Sequence, residues 1–380
     1  MIGQRGVPAT YGGIERAVEE LGAELVERGH EVTIYCRRSY GTTVTSYRGM
    51  KLVHHRAPDV AGVEAFVHSA VATGHAMVHA PDVLHYHGVG PGLFSPLPRF
   101  LRRTPVVQTI HGLDNERARW GWTARRVLGL GVALSRVVPD TTIVVSRELE
   151  AIYRDRWGRA TTCIPNGVRQ QSPDLATDAL TRLGLEQRRY LIWLGRFVPE
   201  KAPELLLKTF RAVDTDVKLV MVGGSSQTDA YTERLEIAAA ADPRVVLPGF
   251  VFGEAKQELL AHARTFVLPS LLEGLPIVLL EALAARLPVA ASAIGPHKEV
   301  LGSDGEAVRL FRPGDEPSLR EAIEWAVSEP IAPRLAAAAT LSDEVVPQYD
   351  WSTVAARTEQ VYLEAAGRAT SKARRSVPSR

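Results

Sequence analysis

Short β-rich runs alternate with helical stretches along this chain, and the alternation starts twice. No other feature restricts the accessible folds as much. Ile14, Val18, Leu21 and Leu25 recur at spacings of four, three and four, which puts them on one face of a helix ending at Gly29. The strand-like run Glu31-Val32-Thr33-Ile34-Tyr35-Cys36 follows, and then Val83-Leu84-His85-Tyr86, Val106-Val107-Gln108-Thr109-Ile110 and Thr142-Ile143-Val144-Val145, with helical stretches between them. Strands joined through helices pair in parallel, so a sheet covered on both faces is expected. The turn-rich Ile164-Pro165-Asn166-Gly167-Val168, running on into Gln170-Gln171-Ser172-Pro173-Asp174, marks a domain boundary. The pattern then restarts with strands at Tyr190–Leu194, Val217–Val222, Val245–Leu247 and Thr265–Leu268, and helices over Pro203–Phe210 and Glu254–Ala263. Two doubly wound α/β domains of similar size, in tandem, are therefore expected. Neither half carries a short-period repeat.

Composition narrows the function. At roughly 100 to 200 residues per domain, 380 residues allow two or three domains, and 45% hydrophobic content is ample for their cores. The longest uninterrupted apolar run, Val127 to Leu134, falls short of the ~20 residues a membrane-spanning helix needs. Only Cys36 and Cys163 occur, so neither a disulfide framework nor a multi-cysteine zinc site is available, and a reducing cytoplasm is the expected compartment. Lys and Arg number 45 against 43 Asp and Glu, but Arg368, Lys372, Arg374, Arg375 and Arg380 all follow the last acidic residue, Glu364. No basic face with interleaved aromatics remains to serve a nucleic acid. The basic tail is either a solvated terminus or a tether to anionic lipid. At the other end, Met1-Ile2-Gly3 runs straight into a loop where the first strand of an α/β domain is expected. Most of that strand is expected to be missing, leaving one sheet position weak.

Two segments of the second half carry groups suited to chemistry. Pro269-Ser270-Leu271-Leu272-Glu273-Gly274-Leu275-Pro276-Ile277-Val278-Leu279-Leu280-Glu281-Ala282 follows a predicted strand. Pro276 occupies the first helical position that proline favours, which leaves the Gly274 and Leu275 amides at a helix amino terminus where an anion can bind. Glu281 then falls on the second turn, placed to accept from hydroxyls as an acidic residue does for ribose in dinucleotide folds. Glu273, ahead of the helix, is able to face a second hydroxylated group. The plainer alternative is a surface carboxylate and a carboxylate answering the helix dipole. Gly195-Arg196-Phe197-Val198-Pro199-Glu200-Lys201 leaves the first strand of the same half. Its guanidinium and ammonium suit a diphosphate, or form a solvated basic loop. Ligands of parallel sheets sit outside the carboxyl ends of strands, and both segments fall there.

The first half is less explicit. Gly12-Gly13 opens the first helix, either for close approach of phosphate or sugar or as a tight turn. His111, in Thr109-Ile110-His111-Gly112-Leu113-Asp114, stands at a strand's carboxyl end, where a lone imidazole is either structural or catalytic. His85 and His87 flank Tyr86 but have no nearby third metal ligand in sequence, and no metal site is assigned. No Gly-x-Gly-x-x-Gly or Walker A stretch follows a strand, which disfavours a nicotinamide dehydrogenase or P-loop kinase. Asp214-Thr215-Asp216 has a metal-binding spelling, but it precedes a strand and reads as a solvated turn.

Taken in order, these stretches resemble the retaining glycosyltransferases of family 4, with the GT-B fold of two tandem Rossmann-like domains facing a central cleft. Glu273 and Glu281 form the Glu-x7-Glu signature, and Arg196 and Lys201 the phosphate pair. Arg5-Gly6-Val7-Pro8-Ala9-Thr10-Tyr11-Gly12-Gly13-Ile14-Glu15, with His111-Gly112-Leu113-Asp114, is similar to a bacterial rhamnosyltransferase-like subgroup associated with envelope or exported polysaccharides. The resemblance implies an N-terminal acceptor-side domain over 1–167 and a nucleotide-sugar donor domain over 168–348. A helix over 349–366 crosses back to the first domain, and a basic tail spans 367–380. It implies that Arg196 and Lys201 hold a diphosphate, Glu281 the ribose and Glu273 the donor sugar, while the Gly274 and Leu275 amides cap sugar and phosphate. His111 contacts the sugar near its reacting carbon, Gly12 and Gly13 line the diphosphate, and Gly249 and Val251, in Pro248-Gly249-Phe250-Val251, receive the base through backbone.

The implied activity is transfer of a hexose or deoxyhexose from a nucleotide-diphosphate sugar, as co-substrate, to a glycan or lipid-linked acceptor. Retention of configuration and no metal or cofactor are expected, in the cytoplasm or peripherally at the inner membrane face. A glycosidase is disfavoured, since eight helical residues at 1.5 Å separate the two glutamates by about 12 Å, beyond hydrolytic spacing. A GT-B nucleotide-sugar epimerase and a non-catalytic nucleotide-sugar-binding subunit of a polysaccharide assembly complex are the competing readings. Arg117, Arg119, Trp120, Trp122, Arg125 and Arg126 precede the apolar stretch from Val127, and this stretch either docks an anionic membrane or packs as an ordinary helix.

Overall fold

The structure, a computed structural model, describes residues 1–375 apart from 11, 42, 59, 61–62, 114–121, 172–174 and 226–229. The chain divides into two units, one of Met1–Asn166 with Trp351–Arg380 and one of Gly167–Asp350.

In the first unit the described elements are α1 (Gly13–Glu27), β1 (Thr33–Arg37), β2 (Ser46–Tyr47), β3 (Met50–His55), α2 (Val63–His79), β4 (Leu84–His87), β5 (Val106–Ile110), α3 (Trp122–Ser135), β6 (Thr141–Val144), α4 (Arg147–Trp157) and β7 (Thr162–Cys163). Strands pair in the orders β1-β3-β2 and β4-β5-β6-β7, all parallel except β2 with β3. Met1 and Ile2 stand between the two groups. Tyr35 N donates to Met1 O at 3.1 Å, Ile2 N to His85 O at 2.9 Å and His87 N to Ile2 O at 2.8 Å, so β1 and β4 are joined through this short segment. The sheet position expected to be weak is thus filled over two residues. Unpaired N–H and C=O groups of β1 and β4 would otherwise be buried at a cost, and Ile2 is itself fully buried against Tyr35, Leu84, Tyr86 and Val106.

The second unit carries β8 (Tyr190–Arg196), α6 (Pro203–Arg211), β9 (Lys218–Gly224), α7 (Ala230–Ala240), β10 (Val245–Val246), α8 (Gly253–Ala261), β11 (Thr265–Leu268), α9 (Ile277–Ala284), β12 (Val289–Ser292), α10 (Gly295–Leu301), β13 (Val308–Phe311), α11 (Glu316–Val327) and α12 (Ala332–Val345), with α5 (Asp178–Arg182) ahead of them. Its sheet is parallel throughout, in the order β10-β9-β8-β11-β12-β13. This is the doubly wound order in which the winding direction reverses between the first and fourth strands, here β8 and β11. Leu191, Trp193, Leu206, Phe210, Leu219, Met221, Leu319 and Ile323 form a buried core on one face. Strands β12 and β13 escaped the sequence reading because Val-Ala-Ala-Ser and Val-Arg-Leu-Phe carry little β-branched signal. Pairing with β11 supplies what local propensity lacks.

The closing helix α13 runs from Trp351 to Arg375 and belongs to the first unit. It is longer than the expected 349–366, and the tail expected from residue 367 is helical through 375. Buried Val354, Ala355, Val361 and Ala365 give it an apolar face, and Glu359 pairs with Arg28 at 2.7 Å and His30 at 2.8 Å beyond α1. Asp214 to Asp216 lies in the loop before β9, with Asp216 exposed and paired to Arg189, as a solvated turn requires.

Candidate active site

The candidate groups of the second unit gather where strand order reverses, because a parallel sheet offers two adjacent carboxyl ends whose loops leave to opposite faces only there. β8 ends at Arg196, which is half-buried, and the chain then turns through a 3-10 segment over Pro199–Lys201 before Pro203 opens α6. β11 ends at Leu268 and its loop crosses to β8's loop, Leu271 N donating to Glu200 O at 2.8 Å. The crossing brings Lys201 Nζ to 2.7 Å from Glu273 Oε1, and Ser270 Oγ donates to the same oxygen at 2.8 Å. The side chains of Lys201 and Glu273 keep only 15% and 12% of their exposure. Burial works to raise the Glu273 carboxyl, but the Lys201 ammonium, the field of His297 and the Ser270 hydroxyl outweigh it and hold the carboxyl below its usual range.

α9 begins one residue later than expected. Pro276 is its N-cap, with extended backbone, and Ile277 its first helical residue. Gly274 and Leu275 are buried immediately before it, so their placement at a helix amino terminus stands. Glu281 falls on the second turn, buried, and its Oε1 lies 2.6 Å from Lys256 Nζ on α8. Lys256 was not foreseen from the sequence. Its signal was available only as a cation on the helix that follows the Pro248–Val251 segment. In that segment Gly249 is exposed with a φ of +75°, its carbonyl accepts from Gly223 N at 2.8 Å, and Val251 is half-buried.

His297 is a further residue the sequence reading passed over. It is fully buried near the start of α10; its Nδ1 donates to Ser292 O at 2.8 Å, and Ser292 Oγ in turn donates to Ser270 O. Burial pushes the imidazole down to about 4, against the field of Glu273 and with that of Lys201.

The remaining candidates belong to the first unit. Gly12, with a φ of +108°, caps α1; a Cβ there would stand 2.0 Å from Glu15 Oε2, whereas Gly13 has open space. His111 follows β5 and its Nε2 lies 3.1 Å from His87 Nδ1, the rings nearly parallel at 5.4 Å. His87 also packs on His85 at 4.0 Å, and His85 Nε2 meets Thr109 Oγ1 at 2.7 Å. The third imidazole that the sequence did not place beside His85 and His87 is therefore His111. Burial drives both His85 and His87 well below the usual imidazole range, so they are neutral, and no cluster among the described residues is arranged to hold a metal. Asp114, Arg117, Arg119 and Trp120 lie outside the described residues.

Comparison with known proteins bears on the family and the fold. Residues 11–171 match the family described as Glycosyltransferase Family 4, and residues 188–329 match Glycosyl transferases group 1. A Bacillus subtilis glycosyltransferase named for teichuronic acid biosynthesis is 28% identical over 250 residues, 64% of this chain and 60% of its own length. The alpha-maltose-1-phosphate synthase of Mycolicibacterium smegmatis is 27% identical over 390 residues, covering 93% of this chain and 96% of the relative. Among solved structures, Anabaena HepE in complex with UDP-glucose superposes with a TM-score of 0.78 at 17% identity, over 93% of this chain and 96% of that one. With glycosyltransferase family matches over 11–171 and 188–329, which together span most of the chain, and parallel sheets in both units, the chain belongs to the family 4 glycosyltransferases of GT-B fold.

Proposed function

We propose that this glycosyltransferase moves a hexose or deoxyhexose from a nucleotide-diphosphate sugar to a glycan or lipid-linked acceptor, with retention at the anomeric carbon, in envelope polysaccharide synthesis. The observation that carries the proposal is the Lys201–Glu273 pair at the strand-order reversal, with Arg196 ending β8 and Glu281 on α9. The named relative in teichuronic acid biosynthesis supports the envelope role, and UDP-glucose in the similar HepE structure supports the donor class.

Each group has a task. The C–O bond from the anomeric carbon to the diphosphate breaks, the electron pair passes to the leaving phosphate oxygen, and that oxygen takes the acceptor's hydroxyl proton as the new C–O bond forms on the same face. Negative charge grows on the diphosphate, so Arg196, Lys201 and the Gly274 and Leu275 amides lower the barrier more than they stabilise bound donor. No metal or cofactor is assigned, because these groups supply the charge compensation. Glu281 accepts from ribose hydroxyls, Glu273 orients the donor sugar, and the Gly249–Val251 backbone receives the base. The family resemblance assigns His111 a role toward the donor sugar and Gly12 and Gly13 a role toward the diphosphate.

The test has two arms. UDP-, GDP-, dTDP- and ADP-sugars are screened for protection against thermal unfolding, where a ligand at 100 times its Kd stabilises by about 2.7 kcal/mol. Nucleotide release is then followed with and without saccharide or lipid-linked acceptors. Acceptor-dependent release of the protecting nucleotide is expected. Sugar release without acceptor would identify an epimerase, and protection without turnover a binding subunit.

A peripheral membrane site is part of the proposal. Phe100 and Leu101 are exposed at 67% and 70%, followed in sequence by exposed Arg102 and Arg103, while Trp122, exposed at 67%, is followed by exposed Arg125 and Arg126, with Arg126 3.9 Å over its ring. Exposed aromatics among arginines suit an anionic bilayer surface, consistent with a cytoplasmic place at the inner face. Co-flotation with anionic liposomes at low salt, reduced at high salt, is expected, and absence of any lipid-bound fraction ends this part.

A further inference from the structure

The Lys201–Glu273 pair poses a problem of charge once a diphosphate arrives. In the free protein Lys201 Nζ sits 2.7 Å from Glu273 Oε1. If Lys201 is to hold a diphosphate, as proposed above, its ammonium must turn from the carboxylate toward phosphate oxygens. Glu273 then stays behind, largely buried, with only the Ser270 hydroxyl on Oε1. A buried carboxylate that loses its cation is costly, and the cost is met either by taking up a proton or by finding another cation.

His297 is the group placed to answer. It is fully buried, and its Nδ1 is engaged with Ser292 O at 2.8 Å, which sets the tautomer and leaves the lone pair on Nε2. Nε2 is buried and has no hydrogen-bond partner among the described residues. A buried ring nitrogen without a partner is unusual and asks for a second state in which it is used. The ring is fastened to the pair's own loop, since Ser292 Oγ donates to Ser270 O and Ser270 Oγ donates to Glu273. The charged groups that act on the imidazole are Glu273, which favours its protonation, and Lys201, which opposes it; Lys298 on its own helix is exposed.

We propose that His297 is a positioning residue that takes up a proton from solvent when Lys201 leaves Glu273 for the diphosphate of the incoming nucleotide sugar. The imidazolium then replaces the ammonium as the counter-charge of Glu273 and keeps the carboxylate ionised and oriented toward the donor sugar. One proton enters, no bond to substrate is made, and the proton returns to solvent when the nucleotide departs and Lys201 closes back on Glu273. Binding of donor is thereby coupled to pH through a residue that touches neither diphosphate nor base.

The inference rests on the proposed donor reading, and calorimetry separates the two. UDP-, ADP-, GDP- and dTDP-glucose are titrated into wild-type protein at about pH 6 in two buffers of different ionisation enthalpy; the difference in heat counts protons. Uptake of at least about half a proton per nucleotide sugar is expected in the wild type, and less than about a tenth in His297→Asn, which keeps a donor for Ser292 O. His79→Asn, at the exposed end of α2, should retain the uptake. Binding without proton uptake in the wild type overturns the inference and leaves the donor reading standing, and this arm needs no variant to fold. Uptake that persists in a folded His297→Asn also overturns it. Absence of binding by every nucleotide sugar overturns both. As a second readout, the acid limb of kcat/KM should move in His297→Asn, whereas a merely structural histidine would lower activity equally at every pH.

Discussion

Lys201 Nζ and Glu273 Oε1, 72 residues apart in sequence, meet at 2.7 Å where the loops after β8 and β11 cross. The Lys201 ammonium helps hold the Glu273 carboxyl below its usual range in a largely buried setting, so changes to one side chain are felt by the other.

Lys201→Ala, Arg196→Ala and Glu273→Ala are each expected to reduce sugar transfer at least ~100-fold, the lower bound for loss of a preorganised group facing developing charge. Lys201→Ala should also cost about 1 to 2 kcal/mol of stability. That is less than the ~3 to 5 kcal/mol of a fully buried broken pair, because some solvent still reaches these side chains. Urea denaturation of the single variants and of Lys201→Ala/Glu273→Ala checks this. The double variant should be no less stable than Lys201→Ala alone, since it removes the stranded carboxylate. Near-wild-type transfer in all three single variants would refute the assigned site.

Glu281 behaves differently because its hydroxyl partners belong to the nucleotide and are held alike in ground and transition states. Glu281→Gln is expected to raise KM for the donor about tenfold with kcat within about a factor of three. Lys256→Met removes the cation 2.6 Å from Glu281 and should shift KM in the same direction. Steady-state kinetics with varied donor decide it, and a kcat loss larger than the KM change would put Glu281 in the chemistry instead.

Acid sensitivity should begin well above the carboxylate range. Burial lowers His68 and His297 to about 4 and drives His85 and His87 well below the usual imidazole range, whereas the unfolded chain protonates histidine near 6.5. Below 6.5 the unfolded state therefore binds more protons than the native state. Stability from these four neutral rings is complete above 6.5 and is lost as pH falls from there toward the folded values, by up to about 1.4 kcal/mol per pH unit for each ring. Melting curves between pH 7.5 and about 5 should show this decline, and His68→Gln should flatten it. A melting temperature constant across that interval would contradict the burial of these rings.

Gly223 tests how tightly the sheet is drawn together beside Arg196. With a φ of +140°, it would place a Cβ 1.8 Å from Gly195 O, a backbone atom that cannot swing aside. Gly223→Ala is expected to cost about 2 to 3 kcal/mol and to lower donor affinity by displacing the end of β8. Gly13→Ala, where nothing stands within 4 Å, should cost less than about 1 kcal/mol. Chemical denaturation of the two variants in parallel provides the comparison.

Much of this protein is legible in its amino-acid sequence. The runs Val106–Ile110 and Thr265–Leu268 are strands over those same residues, and Arg196, Lys201, Glu273 and Glu281 all lie at or beyond strand carboxyl ends, as their spacing required. Lys256 and His297 were not legible. A lysine on a helix and a histidine after a strand are unremarkable locally, and they matter only through what the other chain segments bring to them. The short opening segment misled for the same reason: two residues are too few for a strand by pattern, yet Ile2 completes a sheet by pairing with His85 and His87, more than eighty residues on.

Local spacing of apolar residues is enough to set helix and strand, because each pattern reflects which face of a single segment must leave water, and it also fixed which charged groups would follow a strand. The order of the strands was settled only when whole faces were buried together. That order decided that the loops after β8 and β11 would cross, that Lys201 would meet Glu273, that Glu281 would find Lys256, and that His297 would be enclosed beside them with one ring nitrogen unused. Such pairings depend on contacts between distant segments, and no periodicity within one segment can encode them.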